Sequence, residues 1–439
     1  MVLLIKSLLE ITIMNRIFDS VPLPARSPSG EYDCGRGSYM LLYGNSSIDE
    51  FERLCADIES VGRKLFDRTD IEGNLHCTFG GKPVLHAWYC PSEAALRLTA
   101  DPYTALYATE PEQCPRLCGN TLWQFEVDHS LIDCGMCYIV RCCDGSFFVI
   151  DSAHMYSIND DIRILEFLRK VNGGRKPTVA GWFFSHGHED HVAKFSDILE
   201  FHSDEVDIET VYFNFPSYSH PDSAEWDESS KQIMLRFERE VDKHPEIKKV
   251  RLHTGQRFYV RDLEFTVLCT HEDIYPNPLR DFNNSSTAVM MTASGCKVLF
   301  PGDCAGESDK VFLRRYREAL GCSVVQISHH GHFGTSSEFY RRANAECALF
   351  PITEIKFDEE WEKQEPNRVA VGLAKEYYIA SNGTVEIPLP YSFGGSKLLP
   401  DETFEDFGGI FALWCYEYTD EYKEKLRREF LKRSGKKDI

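Results

Sequence analysis

The sequence predicts a mixed α/β protein, with two sheets covered by helices on their outer faces and a small α+β unit ahead of them. Three observations predict it. Short apolar runs of strand length alternate with amphipathic helical stretches through residues 137–380. One such run, Val179–Phe184, leads directly into a cluster of histidines and acids. Before about residue 103 the rhythm differs, with strand-like stretches in succession after a single helix. At 439 residues the chain is also too long for one ordinary folding unit.

Residues 1–36 read as an irregular lead-in. The apolar start is broken by Lys6 and Glu10 and lacks a small-residue cleavage site, so it is a poor signal peptide, and Met14 is an alternative start. Residues 21–36 are rich in proline and glycine and are read as irregular. Residues 37–125 form the small α+β unit. Ser47 and Glu50 make a capping box, and Ile48, Phe51, Leu54, Ile58 and Val61 share one helical face up to Gly62. Strands at 74–79 and 83–89 flank Gly80-Gly81, and 93–100 can add a third.

Residues 126–418 carry the larger α/β unit. Asp144-Gly145 marks a hairpin between 137–142 and 147–151. A helix at 160–171, with Ile162, Leu165 and Leu168 inward, stops at Asn172-Gly173-Gly174. After the histidine cluster a helix turns Val192, Phe195, Ile198 and Leu199 inward. Strands are expected at 209–215, 263–269, 286–293, 297–300, 323–327 and 347–352, with helices at 224–243, 308–320, 337–345 and 367–380. Residues 419–439 read as a charged terminal helix.

Composition narrows the function. Hydrophobic residues at 43% and charged residues at 27% describe a globular chain with ample core. The net charge of -21 argues against long nucleic acid and anionic membrane as partners, and leaves a small or phosphoester substrate open. No stretch reaches membrane-span length. The 16 cysteines show no paired CxxC zinc-module spacing, and Cys142 and Cys143 are adjacent. They are expected to be reduced, buried thiols of a cytoplasmic protein.

Residues 185–192 read Ser-His-Gly-His-Glu-Asp-His-Val. His186 and His188 lie two apart in an extended segment, so their rings point the same way. Asp190 and His191 follow on the turn into a helix, so four ligands can face one pocket. Imidazole with carboxylate suits zinc first, with manganese or iron as alternatives.

This pattern closely resembles the HxHxDH signature of the metallo-β-lactamase superfamily. The resemblance implies an αββα four-layer sandwich with two divalent metal ions. His186 and His188 would hold the first metal, and Asp190 and His191 the second. Phe148-Val149-Ile150-Asp151 fits the superfamily's early strand ending in aspartate, and Asp151 would orient a ligand histidine. Phe300-Pro301-Gly302-Asp303 fits the metal-bridging aspartate. His329-His330-Gly331 fits the final ligand position, with either His329 or His330 as the ligand. His271 is the candidate third ligand of the first metal, and His253, His220 and Asn214 are lesser ones.

The Gly-Asp…His-His-Gly run, with Asn283-Asn284-Ser285-Ser286, is similar to the branch containing the hydrolase-like domain of DNA-uptake competence proteins. Departures are His332 in place of serine and Val192-Ala193-Lys194 in place of a Gly-Gly step. The chemistry implied is hydrolysis by a hydroxide held at the metals. Asp190 would hold that hydroxide, and His329, His330 or His332 would offset charge on the attacked group. A phosphodiester or related phosphoester is the expected substrate. The alternatives are a carboxylic ester, lactone or amide; a binding or sensing module with a degenerate site; and a di-iron redox protein. Substrate, oligomeric state and the role of residues 37–125 are left open by the sequence.

Overall fold

The computed structural model describes residues 17–19, 21–129, 133–157, 159–218 and 228–400. The expected terminal helix at 419–439 and the alternative start at Met14 lie outside these residues.

An antiparallel six-stranded sheet comes first. It comprises β1 (Gly30–Gly35), β2 (Ser38–Tyr43), β3 (Leu65–Ile71), β4 (Asn74–Phe79), β5 (Val84–Cys90) and β6 (Ala95–Asp101), ordered β1-β2-β6-β5-β4-β3. Helix α1 (Ile48–Ser60) starts where the Ser47 side chain accepts from the Glu50 amide. Its Phe51, Leu54, Cys55 and Ile58 bury against the sheet with Leu41, Leu85 and Leu98. Ile48 and Val61, expected on the same face, are exposed at 51% and 53% because they lie at the helix ends, beyond the sheet's cover.

The rest of the described chain forms two facing mixed sheets. The first is built from β7 (Thr121–Gln124), β8 (Tyr138–Arg141), β9 (Phe147–Ile150), β10 (Thr178–Phe183), β11 (Asp207–Ile208), β12 (Thr210–Phe213) and β13 (Lys248–Arg251). The second runs in chain order through β14 (Arg257–Val260), β15 (Leu263–Cys269), β16 (Ala288–Ala293), β17 (Cys296–Phe300), β18 (Val324–Gln326), β19 (Cys347–Phe350) and β20 (Glu376–Ile379). The late strands β21 (Val385–Pro388) and β22 (Lys397–Leu398) return to the first sheet, where β21 pairs with β7. Helices α2 (Asp160–Val171), α3 (Glu189–Phe201) and α4 (Glu228–Asp242) belong to the first sheet's side. Helices α5 (Gly306–Arg315), α6 (Ser337–Ala343), α7 (Glu354–Trp361) and α8 (Glu365–Leu373) belong to the second's.

Side-chain alternation builds four layers from this order. In β9, Phe147 and Val149 pack outward against Leu165, Phe195 and Phe237. Phe148 and Ile150 point the other way and meet Phe265, Val298 and Phe300 of the second sheet. In β17, Leu299 turns to the outer side, against Phe312 and Phe339. The layers are therefore helix, sheet, sheet, helix: the αββα arrangement that the sequence predicts.

Some elements differ from expectation. β1 lies inside the stretch read as irregular, because antiparallel pairing with β2 supports a strand that tolerates Gly30, Gly35 and a bulge. Residues 376–379, read as helix, form β20, because parallel pairing with β19 overrides an ambiguous pattern. Ile162 is 41% exposed, while Ile164, Leu165 and Leu168 face the core.

The first sheet of the chain is joined to the sandwich by buried polar groups. Arg97 and Arg315 both pair with Asp273 at 2.6 Å, and Arg315 also holds Glu93. The two guanidiniums lie over the Trp88 ring at 4.0 and 4.5 Å. Arg251 donates to the carbonyls of Cys34 and Gly35, and Thr69 donates to the carbonyl of Gly255. All cysteines among the described residues are free thiols.

Candidate metal centre

The parallel pair β9 and β10 ends in register at Ile150 and Phe183. In the facing sheet, β17 and β18 also run parallel. The residues after these four strands therefore meet at one edge of the sandwich, the usual place for chemistry in open α/β sheets.

Asp151 follows β9 in a left-handed conformation, φ 55. Its carboxylate accepts from the Ser185 amide and the Ser185 hydroxyl, both at 2.8 Å, and lies 2.7 Å from His191 Nδ1. With Nδ1 donating to Asp151, His191 turns Nε2 into the site. His188 stands at the N-cap position of α3, which places Asp190 and His191 in the helix's first turn.

Asp303 comes from the turn after β17. Gly302 has φ +59, and a Cβ there would lie 2.9 Å from Ser185 Cβ. The amide of Asp303 donates to Ser286 Oγ, and Gln326 clasps Gly302 through its amide and its carbonyl. His329 and His330 follow β18, both with positive φ, 51 and 54. His330 Nδ1 donates to the Pro351 carbonyl at 2.7 Å, so its Nε2 also faces the site, where a cation would take the place of its proton.

The structure thus brings together Asp190, His191, Asp303 and His330, whose ligand atoms all lie within 4.8 Å of one another. His330 Nε2 is 2.9 Å from Asp190 and 3.2 Å from Asp303. His191 Nε2 is 3.3 Å from Asp303 and from His330 Nε2. Beside them, His186 Nε2 and His188 Nδ1 approach to 2.9 Å, and the His186 ring lies 4.3 Å from that of His191.

Charge is concentrated here. Burial works against the imidazolium of His330, yet Asp303 and Asp190 overrule it and hold it up at about 10. His191 is likewise raised, burial being outweighed by Asp190, Asp303 and Asp151. Both carboxylates are pulled well below their ordinary range: burial opposes this, and the two rings prevail. His186 goes the other way, lowered by burial and by its histidine neighbours.

The donor set fits divalent cations. Asp303 Oδ1 is buried without a hydrogen-bond partner, a costly arrangement that a cation relieves. The rings of His191 and His330 are held by their distal nitrogens, as in metal sites oriented from behind. Asp190, His191, His330 and Asp303 could hold one cation, and His186, His188 and Asp303 another.

Other candidates lie elsewhere. His271 is not brought to this cluster; its Nε2 lies 3.1 Å from Asn214 Oδ1, and Asn214 in turn contacts Glu272 and Arg251. His253 belongs to the same buried network, 2.7 Å from Glu272. His220 lies outside the described residues. His332 stands apart, its ring 5.6 Å from His329 and its Nδ1 3.8 Å from Glu360. His329 lies next to the site, with Nε2 3.3 Å from Asn283 Nδ2 and Nδ1 buried without a hydrogen-bond partner. Sequence reasoning missed Ser185, which joins Asp151 to both rings, and Phe282, which packs on His186 and His188. A serine before the first histidine carries no signal by itself.

No family model and no curated protein sequence matches the chain. Solved structures overlap it in part. The metallo-β-lactamase fold protein YhfI from Bacillus subtilis is 11% identical over 60% of this chain and 97% of its own, with a TM-score of 0.37. A diphosphatase from the PhnP family is 14% identical over 53% and 86%, TM-score 0.32. CmlA, a diiron β-hydroxylase from Streptomyces venezuelae, is 11% identical over 63% and 55%, TM-score 0.35.

Proposed function

We propose that the chain is a metal-dependent hydrolase of the metallo-β-lactamase superfamily, acting on a phosphodiester or related phosphoester. The observation that carries this reading is the buried Asp303, with one oxygen near two imidazoles and the other without a partner, at the meeting of four strand ends. Two divalent ions, zinc foremost, held by Asp190, His191, His330, Asp303, His186 and His188 would acidify a water and offset charge on the attacked group.

The chain's own residues do the rest. Asp151 and the Pro351 carbonyl fix the two rings behind the site, so little reorganisation is needed when charge develops. Asp190 accepts a hydrogen bond from the attacking water and orients it. His329 donates to the group on which negative charge grows, since it stands beside the cluster without belonging to it. Two carboxylates and fixed imidazoles in one buried cluster suit in-line displacement at phosphorus, and the acidic net charge favours a small substrate over long nucleic acid.

The test is elemental analysis of the purified chain, followed by an assay panel of bis(p-nitrophenyl) phosphate, a lactone and a β-lactam. Bound divalent metal and preferential cleavage of the diester support the reading. Metal-free protein without activity after zinc or manganese addition defeats it. Asp303→Ala and His188→Ala should each lower metal-dependent hydrolysis by at least about 100-fold with the fold retained by circular dichroism.

A further inference from the structure

Thiols gather where the connection between the six-stranded sheet and the sandwich meets the turn from β8 to β9. Cys142 and Cys143 open that turn, and Cys114 and Cys118 come from residues 102–120, which lead from β6 to β7. Cys114 Sγ lies 3.5 Å from Cys143 Sγ, although the two stand 29 residues apart in sequence. Cys118 Sγ donates to the Cys142 carbonyl at 3.2 Å.

The backbone holds the contact in place. The Cys143 carbonyl accepts from the amides of Leu117 and Cys118 at 2.6 and 3.1 Å, and the Cys143 amide donates to Asp262 Oδ1 at 3.0 Å. The two sulfurs also differ in access. Cys114 is half-buried, and its neighbours Gln113, Pro115 and Arg116 are exposed, so a small molecule in solution reaches it. Cys143 is buried, and burial, with Cys114 and Asp262, holds its thiol up at about 12. Two other neighbouring thiol pairs, Cys55 with Cys77 and Cys269 with Cys304, are buried on both sides and offer no such entry.

We propose that Cys114 and Cys143 form a reversible thiol–disulfide site whose oxidant is a low-molecular-weight disulfide. Cys114 gives up its proton to solvent, and its thiolate attacks one sulfur of the small disulfide. A mixed disulfide forms on Cys114, and the first small thiol leaves, protonated from solvent. Cys143 then attacks Cys114 Sγ, its proton passing to the second departing thiol. Two protein thiols are oxidised to one disulfide, and the small disulfide is reduced to two thiols. The new bond ties the connection to the turn and removes freedom from the unfolded chain. The turn lies at the end of β9 away from Asp151, so the site is separate from the metal centre and independent of the hydrolase reading.

The test incubates the reduced full-length chain with oxidised glutathione and maps its peptides by fragmentation mass spectrometry without reduction. Trypsin cuts after Arg116, which separates Cys114 from Cys118. A Cys114–Cys143 linkage is expected, reversed by dithiothreitol, with a higher urea midpoint while the linkage lasts. Cys143→Ser should stop at glutathione on Cys114. Cys118→Ser should leave the linkage unchanged, and Cys114→Ser, at the half-buried position, should lose the oxidant-dependent rise in midpoint. A parent chain without the linkage, a linkage that uses Cys118 in place of either partner, or a midpoint that linkage does not raise overturns the proposal.

Discussion

Asp151 touches no expected substrate, yet it decides which nitrogen of His191 faces the site. Its carboxylate has a buried ring on one side and Ser185 on the other. Asp151→Asn keeps the shape and weakens the hold on the His191 ring. Metal affinity, read by competition with a chromogenic chelator, should fall about 10- to 100-fold. Asp190 and His191 of the cluster were legible as candidates because four such side chains stand within six residues, where strand and helix geometry alone aim them together. His271, which lies outside that cluster, is the opposite case. A histidine after a strand looks the same whether it meets a cation or Asn214, and Asn214 lies 57 residues away in sequence. Of the pair 329–330, local pattern could not choose. The choice is made by the Pro351 carbonyl, which fixes the ring of His330 from a strand end that follows later in the chain.

At the scale of elements, the turn after β17 does the positioning. Gly302 holds a left-handed conformation against Ser185 and Ser286, which come from two other segments of the site. Gly302→Ala strains the backbone and pushes on both, so it should cost about 1–3 kcal/mol by urea denaturation and lower metal affinity as well. The apolar strands β9, β10, β15 and β17 could be read from composition, since buried runs of that length announce themselves. β13 and β20 could not. Lys248 and Lys249 dilute one, and the other follows α8 with Gly372 inside the helix's last turn and no breaker beyond it. Both are specified by a neighbouring strand, which no local window contains.

At the scale of the whole molecule, the six-stranded sheet and the sandwich share a buried ionic seam. Arg315 reaches both Glu93 and Asp273, so Arg315→Ala leaves Asp273 to Arg97 and Glu93 to Arg314, each with one guanidinium fewer. It should destabilise the chain by about 1–3 kcal/mol, measured by chemical denaturation. The seam also sets a pH response. His253 is raised from 6.5 to about 9: burial opposes its charge, but Glu272 and Asp101 hold it. A raised pKa contributes stability that is full below pH 6.5 and is lost as pH rises through about 9. Glu272 is lowered from 4.5 to about 2, burial again being overruled, here by His253, so its share is lost as pH falls below 4.5. Denaturation midpoints measured from pH 4 to 10 should decline at both ends, and His253→Gln should flatten the alkaline limb.

The return of β21 to pair with β7 also has a bearing on synthesis. More than 260 residues separate Trp123 from its partner Glu386. While the ribosome is still working through that interval, β7 presents an open hydrogen-bonding edge to whatever nascent or neighbouring strand it meets. A transcript truncated before β21 should therefore yield aggregate, and supplying residues 380–400 as a separate peptide during translation should recover part of the yield.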